Sequence, residues 1–317
     1  MKPEKQHNHS NPILEPLILI TILLFLPIFC GTSQTVEEKN LAQKNSSSGN
    51  EIKRFRVIPP PEDIVKKLNL SNFYKKYCDA DGLPIVASEK VSDYALMEAA
   101  WILTNMIGHR RDIIEAIANA RVRVAVMASE EYTTDIPEHS DLKPKDYWDR
   151  RARGLGATRR RPAVSCGEEN LLSYRGDPYA AENILIHEFG HVIHEIGLRT
   201  AVPSFEERLK RAFNQATEKG LWKNTYAATN PNEYWAEGVQ SWFDCNRQND
   251  SIHNHVNTRE ELKQYDPELA KLLEEVFGDK NWRYEKPQNR KEQPIHLKGY
   301  NPPEDKVFRW RTATQNK

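Results

Sequence analysis

His187 and His191 stand four residues apart in His187-Glu188-Phe189-Gly190-His191. On a helix that spacing projects both imidazoles from one face, about 6 Å apart along the axis, close enough to hold one Zn²⁺. Glu188 lies beside them, where its carboxylate can take a proton from a water bound at such an ion. The flanks, Ala180 to Ile186 and Val192-Ile193, are largely apolar and helical in pattern, so the pair belongs to a buried element rather than to a solvated charge cluster.

A catalytic zinc normally takes three protein ligands and keeps one open position, so a third ligand is needed. His194 does not qualify, because on an intact helix it lies about 10 Å along the axis from His187. The longer motif HExxHxxGxxH would need Gly at 194 and His at 197, where this chain has His194 and Gly197. Glu233 qualifies, in Asn230-Pro231-Asn232-Glu233-Tyr234-Trp235-Ala236-Glu237. Asn230 followed by Pro231 starts a helix, and Glu233 and Glu237 then share one face of it. Two carboxylates on a helix rich in Trp235, Val239, Trp242 and Phe243 need partners, because buried charge is costly. Zinc and its histidines would supply them, with Glu233 as ligand and Glu237 accepting a hydrogen bond from the outer nitrogen of a ligating His. Tyr234 and Trp235 read as core packing. His253 and His255 read as surface residues of a polar loop.

With these two segments the chain resembles the gluzincins, zinc peptidases with HExxH and a downstream Glu on a second helix. The resemblance is to the branch of the anthrax lethal factor catalytic domain and the Pro-Pro endopeptidases, in which HEFGH or a similar run precedes a Glu-aromatic-aromatic-Ala-Glu box. Glu233-Tyr234-Trp235-Ala236-Glu237 matches that box at all five positions, and Tyr226 occupies the place of a Tyr seven residues before the ligand Glu. The motif-bearing likeness covers residues 174–245, and His194 departs from it without touching a ligand. The resemblance implies a two-lobed, zincin-like α+β domain, with a small sheet and helices in the upper lobe and a mainly helical lower lobe. It further implies one catalytic Zn²⁺ on His187, His191 and Glu233, Glu188 as proton carrier, and Tyr226 donating to the oxyanion formed during amide hydrolysis of a peptide or protein substrate. Catalysis of that kind would make the protein a zinc endopeptidase. The competing reading is a catalytically silent zincin fold, a binding or toxin-like module that keeps zinc for structure, but a decayed site commonly loses the base and Glu188 is intact.

These residues need elements to position them. Val91 to Ile107 places Ala95, Ala99, Leu103 and Ile107 four apart, a helical stripe, and 112–120 reads as a shorter successor. Arg121 to Met127 alternates Arg with Val and Ala, the pattern of a half-buried strand. Ala163–Cys166 and Leu171–Tyr174 are further short strand candidates, either of which could form the edge along which a substrate extends. Helices are expected at 179–198, 203–219, 231–244 and 258–277. Strands first and helices later favour α+β over alternating βαβ units. No internal repeat is visible.

The chain has 317 residues, with 45 basic and 45 acidic side chains, a balance that argues against a nucleic-acid coat. Leu17 to Phe29 is densely apolar, preceded by Lys2 and Lys5 and followed by Gly31, Thr32 and Ser33. Thirteen such residues are short for a bilayer span, which takes about 20, and suit a secretory signal over 1–33. An uncleaved single-pass anchor through 13–30 is the other reading. On the first, the protein is secreted and meets no membrane. Residues 34–61 are a polar lead-in closed by three prolines, 62–284 the catalytic domain, and 285–317 a polar tail that packs as irregular coil or stays loose. Once exported, Cys78, Cys166 and Cys245 would remain and allow one disulfide at most, and Asn45, Asn69 and Asn249 become glycosylation candidates. The dense Arg run from Arg150 to Arg161 reads as a Gly-containing turn with paired arginines, or as a contact for an acidic segment or polyanion.

Overall fold

The computed structural model describes residues 55–312. The expected signal over 1–33 and the lead-in as far as residue 54 lie outside them. Among the described residues no helix is long and apolar enough to cross a membrane.

The domain is α+β, with one four-stranded mixed sheet in the order β1-β2-β3-β4. After a short helix α1 (Glu62–Leu68), strands β1 (Lys76–Ala80) and β2 (Leu83–Ala87) form an antiparallel hairpin. Its turn is Asp81-Gly82, both at positive φ (58° and 99°), the backbone that a two-residue hairpin demands. Helices α2 (Asp93–Ile107) and α3 (Arg111–Asn119) then carry the chain over to β3 (Arg123–Met127), which pairs parallel with β2. β4 (Ala163–Gly167) pairs parallel with β3, after a long connection that contains α4 (Lys145–Arg151).

Two of the three pairings are therefore parallel, and parallel neighbours need crossovers. The α+β expectation holds, with helices supplying the crossovers between the parallel strands. β3 is buried on both faces rather than half-buried. Arg123 can be buried there because its guanidinium bonds to the carbonyls of Leu68 and Pro162 and faces Glu138. The third predicted strand, Leu171–Tyr174, does not form, since helix α5 (Glu168–Leu172) occupies that stretch.

One sheet face packs on the main core, built from α2, α3 and the later helices, and the other on a small cluster around Tyr74, Val86, Met127 and Ile136. The later helices are α6 (Ile184–Val192), which runs on as a π-helix through Ile193–Leu198, then α7 (Phe205–Glu218) and α8 (Pro231–Trp242). Pro267, which cannot donate within a helix, divides the expected 258–277 helix into α9 (Arg259–Tyr265) and α10 (Pro267–Phe277).

Residues 285–312 pack as irregular coil. Arg290 and His296 close on the buried Glu98, with His296 Nε2 at 2.7 Å. Phe308 lies under the Arg153 guanidinium, and its N–H donates to the Arg175 carbonyl at 2.9 Å. Cys78, Cys166 and Cys245 are all buried and free, so no disulfide forms among the described residues.

Candidate metal centre

Helix α6 begins where Asn183 accepts a hydrogen bond from the Ile186 N–H (3.0 Å), one of the donors a helix start leaves unpaired. Leu185, Phe189 and Val192 point into the core, which leaves His187, Glu188 and His191 to line a cleft of about 450 Å³. Helix α8 starts in the same way, with Asn230 accepting from the N–H groups of Asn232 and Glu233 (2.9 and 3.0 Å) and Pro231 in the first turn. That start places Glu233 opposite α6. Trp235 and Val239 bury their side chains between the helices, and Gly190, lacking one, lets Val239 approach.

The three expected ligand atoms converge. His187 Nε2 and His191 Nε2 are 3.2 Å apart, and Glu233 Oε2 is 3.3 Å from each. A tetrahedral zinc with bonds of ~2.0–2.1 Å has ligand-to-ligand edges of roughly 3.3–3.4 Å, so the triangle fits the ion. Glu233 Oε2 is buried without a hydrogen-bond partner, as expected of an oxygen reserved for a cation. Among the described residues, these three form the group able to hold a metal.

The electrostatics also call for positive charge. Burial alone would lower the pKa of His187, but Glu233, Glu188 and Glu237 around it push it up to about 10. Burial would likewise raise the Glu233 carboxyl, but the two facing imidazoles hold it well below the usual carboxylate range. Glu188 remains raised, because burial outweighs the histidines. Tyr226 sits in a short 3-10 turn and lines the same cleft, its ring 6.3 Å from that of His187. Burial and the Glu233 carboxylate keep its hydroxyl protonated.

Glu237 departs from its expected part. The outer nitrogen of His187 donates to Gln240 Oε1 at 2.8 Å, and Glu237 Oε1 lies farther away, at 3.5 Å. The other Glu237 oxygen accepts from Asn246 Nδ2 (3.1 Å) and faces His253 Nε2 (3.3 Å). His253 is thus buried behind the site rather than on the surface, whereas His255 is exposed. Sequence reasoning missed Gln240, although its place seven residues after Glu233, on the face that also carries Glu237, marked it. His194 turns away from the triad and reaches Glu206 on α7 at 2.8 Å.

Gly154-Leu155-Gly156 forms the opposite wall. Leu155 bridges antiparallel to Ser165, its carbonyl accepting from the Ser165 N–H at 2.9 Å. The outer edge of the sheet beside the cleft is therefore this segment, and not β4 or residues 171–174. A Cβ on Gly154 would stand 2.6 Å from Ile184 Cγ1 and 3.1 Å from Glu188 Cγ, so the wall closes directly on Glu188. The Arg run divides by burial. Arg153 is fully buried on Glu169 at 2.7 Å, and Arg161 pairs with Asp141 at 2.8 Å. Arg150, Arg151 and Arg159 are exposed and have no carboxylate partner among the described residues, and Arg151 stands on the cleft lip.

No family model matches the chain, and neither does any curated protein. Among solved structures it is similar to the Pro-Pro endopeptidase PPEP-2 from Paenibacillus alvei, at 18% identity and a TM-score of 0.36, over 62% of this chain and 98% of that one. That is a coarse likeness to a peptidase.

Proposed function

We propose that this chain is an exported zinc-dependent endopeptidase. The observation that carries the reading is the triangle of His187 Nε2, His191 Nε2 and Glu233 Oε2, with edges of 3.2–3.3 Å. Zn²⁺ bound there supplies Lewis acidity, bringing the pKa of a water toward ~7 and polarising a carbonyl.

The chain's own residues do the rest. Glu188, with its affinity for protons raised by burial, accepts one from the attacking water on its carboxylate and delivers it to the leaving amine. Tyr226 donates its hydroxyl hydrogen to the oxygen on which negative charge develops. Gly154 and Gly156 flank the residue that pairs with β4, so their peptide groups point away from β4, leaving an edge to which an extended substrate can add as a further strand. Two pockets share His191 and Glu233, one lined also by Leu155 and Ile252 and the other by Thr158 and Asn232. A chain passing through both suits internal bonds. Export rests on the segment at 1–33 and is checked by N-terminal sequencing of the mature protein.

The test is a peptide library incubated with zinc-loaded wild type and with Glu188→Gln. Internal cleavage by the wild type, reduced at least ~100-fold in the variant at equal zinc content, is expected. Stoichiometric zinc with no cleavage by either protein would favour the silent binding module.

A further inference from the structure

Gln240 is fully buried on α8, and all three of its side-chain hydrogen bonds are directional. Nε2 donates to Glu182 Oε2 at 2.9 Å and to the Asn183 carbonyl at 3.2 Å. Both partners can only accept, so the amide has one orientation, with Oε1 turned to His187 Nδ1 at 2.8 Å. An oxygen at that position requires Nδ1 to carry the hydrogen, and any lone pair the ring offers is then on Nε2, toward His191 and Glu233.

We propose that Gln240 is the positioning residue for His187. On this view Gln240 fixes the ring and its tautomer for metal binding, and Glu182 fixes Gln240. The inference rests on the metal reading above. A ligating His commonly gives its outer N–H to a carboxylate or carbonyl, which locks orientation and affinity together. Here the partner is a neutral amide, while Glu237 is set back at 3.5 Å and engaged by Asn246 and His253. His187 is thereby oriented without a full negative charge bonded to it. The clamp also closes on itself, since Glu182 and Asn183 lead into α6 and hold the residue of α8 that holds the first histidine of α6.

The experiment measures zinc affinity by chelator competition on the full chain, stripped of metal and refilled, with melting followed in parallel. Gln240→Ala is expected to raise the zinc Kd 10- to 100-fold. Gln240→Glu sets a carboxylate against Glu182 and the Asn183 carbonyl and should weaken zinc as well. Adding Glu182→Gln to Gln240→Glu exchanges donor for acceptor across the 2.9 Å contact and should bring affinity back toward wild type.

A folded Gln240→Ala with wild-type zinc affinity overturns the proposal. If Gln240→Ala does not fold, a double variant no better than Gln240→Glu alone overturns it instead. Wild type that takes up no zinc overturns the metal reading, and this inference with it.

Discussion

The indole N–H of Trp235 donates to the carbonyl of Gly190 across 2.9 Å, pinning the helix of the two histidines to the helix of Glu233. Neither residue contacts the triad's open side, yet the separation of α6 and α8 depends on this pair. Two glycines at helix interfaces therefore behave differently. A Cβ on Gly190 would meet Val239 at 3.4–3.5 Å, ordinary contact, so Gly190→Ala should stay within ~1 kcal/mol of wild type, helped by the better helix propensity of Ala. A Cβ on Gly238 would meet Leu269 Cδ2 at 2.7 Å and Cγ at 3.1 Å inside a packed core. Gly238→Ala should cost about 1–3 kcal/mol in urea unfolding. Equal stabilities for the two variants would contradict this packing.

The wall residues should separate activity from stability. Gly154→Ala drives a methyl against Ile184 and the Glu188 Cγ, whereas in Gly156→Ala the nearest approach is 3.4 Å, to Glu188 Oε2. If Glu188 carries the proton as proposed, the first should lower kcat/KM at least 10-fold, because a small misplacement of such a group is costly, and the second should lower it less. Peptidase assays at matched zinc content decide the order. The reverse order would remove the wall from contact with Glu188.

Much of the site was legible because its spacing is local. HExxH and the Glu233 box each lie within a single helix whose cap and apolar stripe are written in adjacent residues. Gln240 was less legible, since its role depends on Glu182 and Asn183, more than fifty residues upstream. The β1–β2 hairpin has its signal in Asp81-Gly82, but Lys76 and Asp79 break the apolar pattern of β1 and weaken it. Leu171–Tyr174 misled because four apolar and polar residues do not distinguish a strand from a helical turn, and Glu168 and Glu169 favour a helix start. The edge at Leu155 was hidden by its glycines, which belong to strands only where another backbone comes close.

His194 and Glu206 give the fold an acid-sensitive link. Burial pushes the imidazole of His194 down to about 4. Burial would raise the Glu206 carboxyl, but hydrogen bonds from Arg199, Lys210 and His194 bring it down to about 2. Both folded values lie below the ordinary ones, so the unfolded chain binds more protons and stability falls as pH falls. The contribution of His194 is complete above pH ~6.5 and is lost progressively down to about 4, which amounts to roughly 2 kcal/mol between pH 7.5 and 5. Urea unfolding at those two pH values should show wild type losing about that much more than His194→Gln, which still offers Glu206 a donor. Parallel losses would mean that His194 is not held neutral.

Tyr226 is the residue whose chemistry can be removed with least disturbance. Its backbone N–H donates to the Ile252 carbonyl at 2.7 Å and survives substitution by Phe, as does the ring beside His187. Only the hydroxyl goes. A group that stabilises developing oxyanion charge acts in the transition state and hardly in the ground state, so Tyr226→Phe should lower kcat by about 10²–10³ with KM and zinc Kd near wild type. A purely structural tyrosine would shift the melting temperature and spare kcat. A raised KM at constant kcat would instead make the hydroxyl a substrate-binding group, and the oxyanion would then need another donor from the cleft wall.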